Sequence, residues 1–132
     1  MNPSLLIVMV VVAFIAWTLW RARPQVRPEE MKSALQAGAA VLVDVREPSE
    51  WVATGTAQEA ALLPLSDLRG ERRQWSAFLA QHRGKKLFLY CQSGARSSLA
   101  AAQLRHEGLD ARNAGSLAAL DRAGWPRSRQ PS

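Results

Sequence analysis

The chain has 132 residues, enough for one ordinary domain and too few for two. One Cys and two His exclude an intrachain disulfide framework and any zinc-ligand spacing. The net charge of +6 sits at the ends: Arg21, Arg23 and Arg27 supply +3, Arg127 and Arg129 supply +2, and residues 28–126 hold twelve Lys/Arg against eleven Asp/Glu, a net of +1. A nucleic-acid binder clusters its cations on a folded face, so no nucleic-acid partner is expected.

Residues 5–20 contain fifteen apolar residues and one Thr. The uncharged run over residues 4–20 spans roughly 25 Å as a helix, slightly under a hydrocarbon core of about 30 Å. Asn2, Pro3 and the Arg21 stem make up the difference, and Trp17 and Trp20 suit the headgroup layer. No Lys or Arg precedes Arg21, and Trp20-Arg21-Ala22-Arg23-Pro24 offers no small-x-small cleavage site, which argues against a cleaved signal peptide. Residues 1–23 are therefore read as a transmembrane anchor with a basic flank. All the nearby cations follow the run, so the positive-inside rule puts the rest of the chain in the cytoplasm as a single-pass inner-membrane protein. A free Cys is compatible with that compartment.

Residues 24–132 form the expected soluble domain with a short basic tail. Pro28-Glu29-Glu30 opens a helix that carries Met31, Ala34 and Leu35 on one face and stops at Gly38. The apolar run over 41–45 predicts a parallel strand buried on both faces. A short helix is expected over 48–53 and a short strand or extended segment over 62–65. Trp75, Phe78, Leu79 and His82 mark an amphipathic helix over 71–82. A second buried strand over 87–90 ends at Cys91, and a loop over 92–95 leads into a helix over 97–106. An edge strand over 111–113 and a last helix over 116–123 close the domain. Alternating strands and helices predict an α/β fold with a mostly parallel sheet, whose ligands bind at the carboxyl ends of strands.

Cys91 stands at such an end. In Cys91-Gln92-Ser93-Gly94-Ala95-Arg96-Ser97 a buried strand turns through a tight loop into a helix. Loop amides and the helix N-terminus aim positive partial charge into the bend, which favours a nucleophilic thiolate. Gly94 permits the inward turn of the N–H groups, and Arg96 adds a fixed cation. Asp44 and Arg46 close the first strand. Buried charges need partners, so Arg46 is expected to pair with Glu50 while Asp44 supports the loop near Arg96. Neither His82 nor His106 has a partner pattern for general-base work.

Cys-x-x-Gly-x-Arg-Ser after Leu87-Phe88-Leu89-Tyr90 resembles the active-site loop of a rhodanese domain. Val43-Asp44-Val45-Arg46-Glu47-Pro48-Ser49-Glu50-Trp51 is similar to that family's Asp-x-Arg segment, and Ala60-Ala61-Leu62-Leu63-Pro64-Leu65 to the strand that follows. Ala114-Gly115-Ser116-Leu117-Ala118-Ala119-Leu120 and Gly124-Trp125-Pro126 are similar to its closing helix. Order and spacing match from about Val26 to Pro126. The resemblance implies a rhodanese-like three-layer domain and a sulfurtransferase. Cys91 would take the outer sulfur of thiosulfate or another sulfane donor as a persulfide. Gln92, Ser93, Gly94, Ala95 and Arg96 would bind the anion, with Ser97, Asp44 and Arg46 as loop support. No second Cys exists to resolve the persulfide, so the acceptor is an external small thiol or thioredoxin-like protein. No cofactor or metal is implied. Members that favour thiosulfate often carry a cation before the position of Arg96, and this loop has none, which leaves the donor open.

Two rival functions follow. Cysteine phosphatases have a similar site, but with five residues between Cys and Arg where this chain has four, too tight a loop for a phosphoryl group. Some rhodanese-like domains act instead as binding or redox-sensing modules.

Overall fold

A computed structural model of the chain describes residues 1–129. Residues 130–132 of the expected basic tail lie outside them.

Helix α1 (Pro3–Arg21) has no buried residue, and only its C-terminal end meets the layered domain. Asn2 caps it by accepting from the Ser4 N–H at 3.1 Å. It is the one helix among the described residues long and apolar enough to cross a membrane. The domain proper runs through α2 (Pro28–Gln36), β1 (Ala40–Asp44), α3 (Pro48–Thr54), β2 (Thr56–Ala57) and β3 (Ala61–Leu62). It continues with α4 (Leu65–Arg69), α5 (Arg73–Gln81), β4 (Lys86–Cys91), α6 (Ala95–His106), β5 (Ala111–Ser116), α7 (Leu117–Arg122) and β6 (Arg127–Ser128).

The central sheet has the order β3-β1-β4-β5, and every neighbouring pair is parallel. The α/β fold with a parallel sheet is as the sequence implies, and β5 lies at an edge. Side chains alternate across the sheet with the period of a strand. Val43, Val45, Leu87, Leu89 and Cys91 pack with Trp75, Phe78, Ala100 and Leu104 of α5 and α6. Leu42, Phe88 and Tyr90 pack with Met31 of α2 and Leu117 and Leu120 of α7. Two apolar cores therefore flank the sheet and make three layers. Burying such strands on both faces is why they read as continuous apolar runs.

Several boundaries differ from the sequence expectation. Only Ala61–Leu62 pairs with β1, because Leu65 already opens α4 after Pro64. Helix α5 begins at Arg73 rather than 71, because Arg72 is left-handed at φ 57°. There Asp67 accepts from the Arg73, Gln74 and Trp75 N–H groups at 2.9–3.1 Å. The β5 strand extends three residues past 113, to Ser116, with a register shift opposite Leu89/Tyr90. A small antiparallel pair, β2 with β6, was not anticipated.

Candidate active site

Strand alternation and the end of β4 set the position of the one thiol. Cys91 is the last residue of β4 and points into the α6 side of the sheet, where it is fully buried. Gly94 reverses the chain at φ +89°, and α6 begins at the next residue, two positions earlier than expected. Two N–H donors converge on Sγ, from Gly94 at 3.1 Å and Ser97 at 3.4 Å, and the Ser97 hydroxyl oxygen lies 3.3 Å away. Such an array suits a sulfur atom that carries negative charge.

The structure therefore moves Ser97 from loop support to direct contact with sulfur. Gly94 meets the sulfur through its backbone N–H. Gln92 and Ser93 are exposed; Gln92 Oε1 accepts from Arg46 Nη1 at 3.2 Å, and the Ser93 hydroxyl accepts from the Ala95 N–H at 3.3 Å. Ala95 sits in the first turn of α6 and is exposed.

The expected charge pairing is corrected. Arg46 bonds Asp44, not Glu50: its Nη2 donates to Asp44 Oδ2 at 2.9 Å, and its own N–H donates to Oδ1 at 2.9 Å. Both side chains are wholly buried. Arg46 also donates to the Gly55 carbonyl and the Thr54 hydroxyl, each at 2.7 Å. The Tyr90 hydroxyl donates to Asp44 Oδ2 at 2.7 Å and accepts from the Ala57 N–H at 2.8 Å. Burial, with the Asp44 charge beside it, pushes the Tyr90 phenol far above its usual value, so it stays protonated. Arg46 thus ties the end of β1 to the end of α3 and, through Gln92, to the Cys91 loop.

Arg96 takes the partner assigned to Arg46. Its Nη1 and Nη2 donate to Glu50 Oε1 and Oε2 at 2.6 and 2.8 Å, a bidentate pair. Glu50 occupies the first turn of α3, where a capping box with Glu47 orients it. The hydrogen bond from Arg96 is the main reason its carboxyl is held down at about 2. A depressed folded-state value means that the pair stabilises the fold above the ordinary carboxyl value of 4.5 and loses that contribution as pH falls toward about 2. The pair is roughly one-third exposed, so it orients Arg96 more than it stabilises.

Asn113, a residue the sequence analysis missed, is the hub behind the loop. It is fully buried. Its Oδ1 accepts from the Ser97 hydroxyl at 2.7 Å and the Gly115 N–H at 3.0 Å. Its Nδ2 lies within hydrogen-bond distance of the Gly94, Ala22 and Arg23 carbonyls at 3.1–3.3 Å. Gln25 completes the clamp: its N–H donates to the Asn113 carbonyl at 2.7 Å. The stem that follows α1 is therefore bonded to the residues around Cys91.

Gly94 feels this directly. A Cβ there would lie 2.3 Å from the Ala22 carbonyl oxygen, at a φ that side chains rarely adopt. Gly94→Ala is expected to cost about 1–3 kcal/mol by displacing stem or loop. Thermal melting of the full chain checks this; an unchanged midpoint would contradict the close approach.

Neither histidine joins the site. His82 packs on Phe78 with ring centroids 4.4 Å apart, and His106 ends α6.

A Rhodanese-like domain profile matches residues 27–121. An uncharacterized protein of Synechocystis sp. is 39% identical over 103 residues, 76% of this chain and 54% of that protein. The chain thus spans about half the length of that curated relative. Among solved structures, a rhodanese-related protein from Thermoplasma volcanium matches with a TM-score of 0.65 at 25% identity, over 82% of this chain and 100% of that one. The human single-domain sulfurtransferase matches with a TM-score of 0.58 at 33% identity, over 76% of this chain and 96% of that one. With the profile running from the start of the layered domain to α7, this chain belongs to the rhodanese-like domain family.

Proposed function

We propose that the chain is a sulfurtransferase that carries sulfane sulfur on Cys91. The observation that carries this reading is the convergence of the Gly94 and Ser97 N–H groups on one buried sulfur. With thiosulfate as donor, the Cys91 thiolate attacks the outer sulfur. The new S–S bond forms a persulfide, and the old S–S bond breaks, releasing sulfite with its electron pair. Loop N–H groups then solvate the terminal sulfur anion. An external thiolate attacks that sulfur and leaves as its own persulfide, which returns Cys91 as thiolate. Arg46 and Asp44 hold the loop, and the Glu50 pair fixes Arg96 beside it. Similarity to the human single-domain sulfurtransferase supports the reaction class.

A panel of thiosulfate and other sulfane donors, with cyanide or a small thiol as acceptor, tests this reading. Turnover with at least one donor is expected. Failure with every donor would hand the site to the binding or redox-sensing role.

We further propose that α1 anchors the chain in the inner membrane with the domain in the cytoplasm. Its exposed apolar surface and the arginines that follow it support this. A reporter fused after the C-terminus is expected to read cytoplasmic; a periplasmic readout would refute the orientation.

A further inference from the structure

Two adjoining hollows lie between the end of α1, the stem that follows it and one side of α6. The larger, about 400 Å³, is lined by Trp20, Arg21, Arg23, Gln25, Ser98 and Arg105. The smaller, about 130 Å³, runs between Trp17 and Thr18 on one side and Ala95 and Leu99 on the other. Both share Arg21 and Ser98.

The larger hollow gathers three arginines and no carboxylate. Among the described residues none of the three has an acidic partner. Arg21 lies over the Trp17 ring at 4.8 Å. Arg105 uses only Nη1, donating to Gln25 Oε1 at 3.1 Å and the Ala111 carbonyl at 2.9 Å. Three like charges around one cavity repel one another until an anion enters, and guanidinium forks suit phosphate oxygens.

The depth order adds the second half. Arg21 ends α1, and Trp17 lies one turn earlier, on the membrane side. The arginine hollow then falls at headgroup level, with the groove between Trp17 and Leu99 one turn deeper at the acyl boundary. Leu99 is 43% exposed there. Charge outside and an apolar slot inside is the order of a phospholipid.

We propose that these hollows hold one anionic phospholipid, its phosphodiester on Arg21, Arg23 and Arg105 and an acyl chain between Trp17 and Leu99. The inference rests on α1 being a membrane span. A zwitterionic lipid fits less well, because its own cation would face three arginines.

The test uses the full chain in bilayer nanodiscs of mixed phosphatidylglycerol and phosphatidylcholine, released into mild non-ionic detergent and weighed by native mass spectrometry. One retained phosphatidylglycerol is expected, in preference to phosphatidylcholine. Arg23→Gln, which removes no hydrogen bond within the described chain, is expected to lower retention about tenfold or more. Arg105→Gln is expected to do the same, with thermal melting to show that the fold survives. Equal retention of both lipids, or retention unchanged in Arg23→Gln, would overturn the proposal. A further arm adds inorganic phosphate to lipid-free protein; a phosphate adduct lost in Arg23→Gln, without lipid retention, would replace the lipid by a free anion. Alkaline carbonate extraction of cell membranes separates the two readings. A chain that stays in the membrane but retains no phosphatidylglycerol overturns the lipid site alone, and a chain that is released overturns the anchor as well.

Discussion

Cys91→Ser is expected to abolish sulfur uptake and leave the domain folded. A hydroxyl is a far weaker nucleophile than a thiolate at neutral pH and forms no persulfide. The rate should fall by about 10⁴-fold or more, as when a nucleophile is removed from other enzymes. The fold should survive because the same donors remain for the smaller oxygen: the Gly94 and Ser97 N–H groups already point at that position. The stability change should stay within about 1–2 kcal/mol. Initial rates and melting of wild type and variant, measured side by side, check both halves. A variant that keeps activity would remove Cys91 from the chemistry.

Removing the Asp44 carboxylate has the largest expected effect on stability. Asp44→Ala leaves the Arg46 guanidinium fully buried without its counter-charge, and the Tyr90 hydroxyl without its acceptor. Breaking a buried pair from one side costs about 3–5 kcal/mol, a large part of the roughly 5–15 kcal/mol that holds a domain together. For a domain of this size, that lowers the melting midpoint by on the order of 20 °C. The paired replacement Asp44→Leu with Arg46→Met removes both charges and should recover much of the loss. It should still weaken catalysis, because the bond from Arg46 to Gln92 is gone. An Asp44→Ala melt within a few degrees of wild type would show that Arg46 finds another partner.

These two predictions differ in how far the sequence alone leads to them. Cys91 was legible because a continuous apolar strand, a Gly-bearing loop and a helix start are all local signals. The two buried strands followed from apolar runs, and the three layers from the family resemblance. The pairing of Arg46 with Asp44 was not, although the two are neighbours. Spacing offers Glu50 at four residues from Arg46, but a rule for one helix face does not apply across a strand end and a separate helix. Glu50 meets Arg96 instead, 46 residues on, where α3 and α6 bring their first turns together. Asn113 sits 88 residues from Gln25 and 91 from Ala22, so no local pattern marks it. Gly94 was readable as a turn glycine, while its second constraint, the Ala22 carbonyl at its back, depends on the folded stem. Elements of two residues such as β2, β3 and β6 are too short to leave a period.

Because the stem is bonded to the loop, the decisive measurement belongs on the full chain in detergent. Its intact mass after incubation with thiosulfate, beside Cys91→Ser, tests the central claim directly. A gain of one sulfur atom, removed by cyanide and absent from the variant, is the predicted result. No sulfur gained from thiosulfate or from any other sulfane donor, or the same gain in the variant, would contradict it.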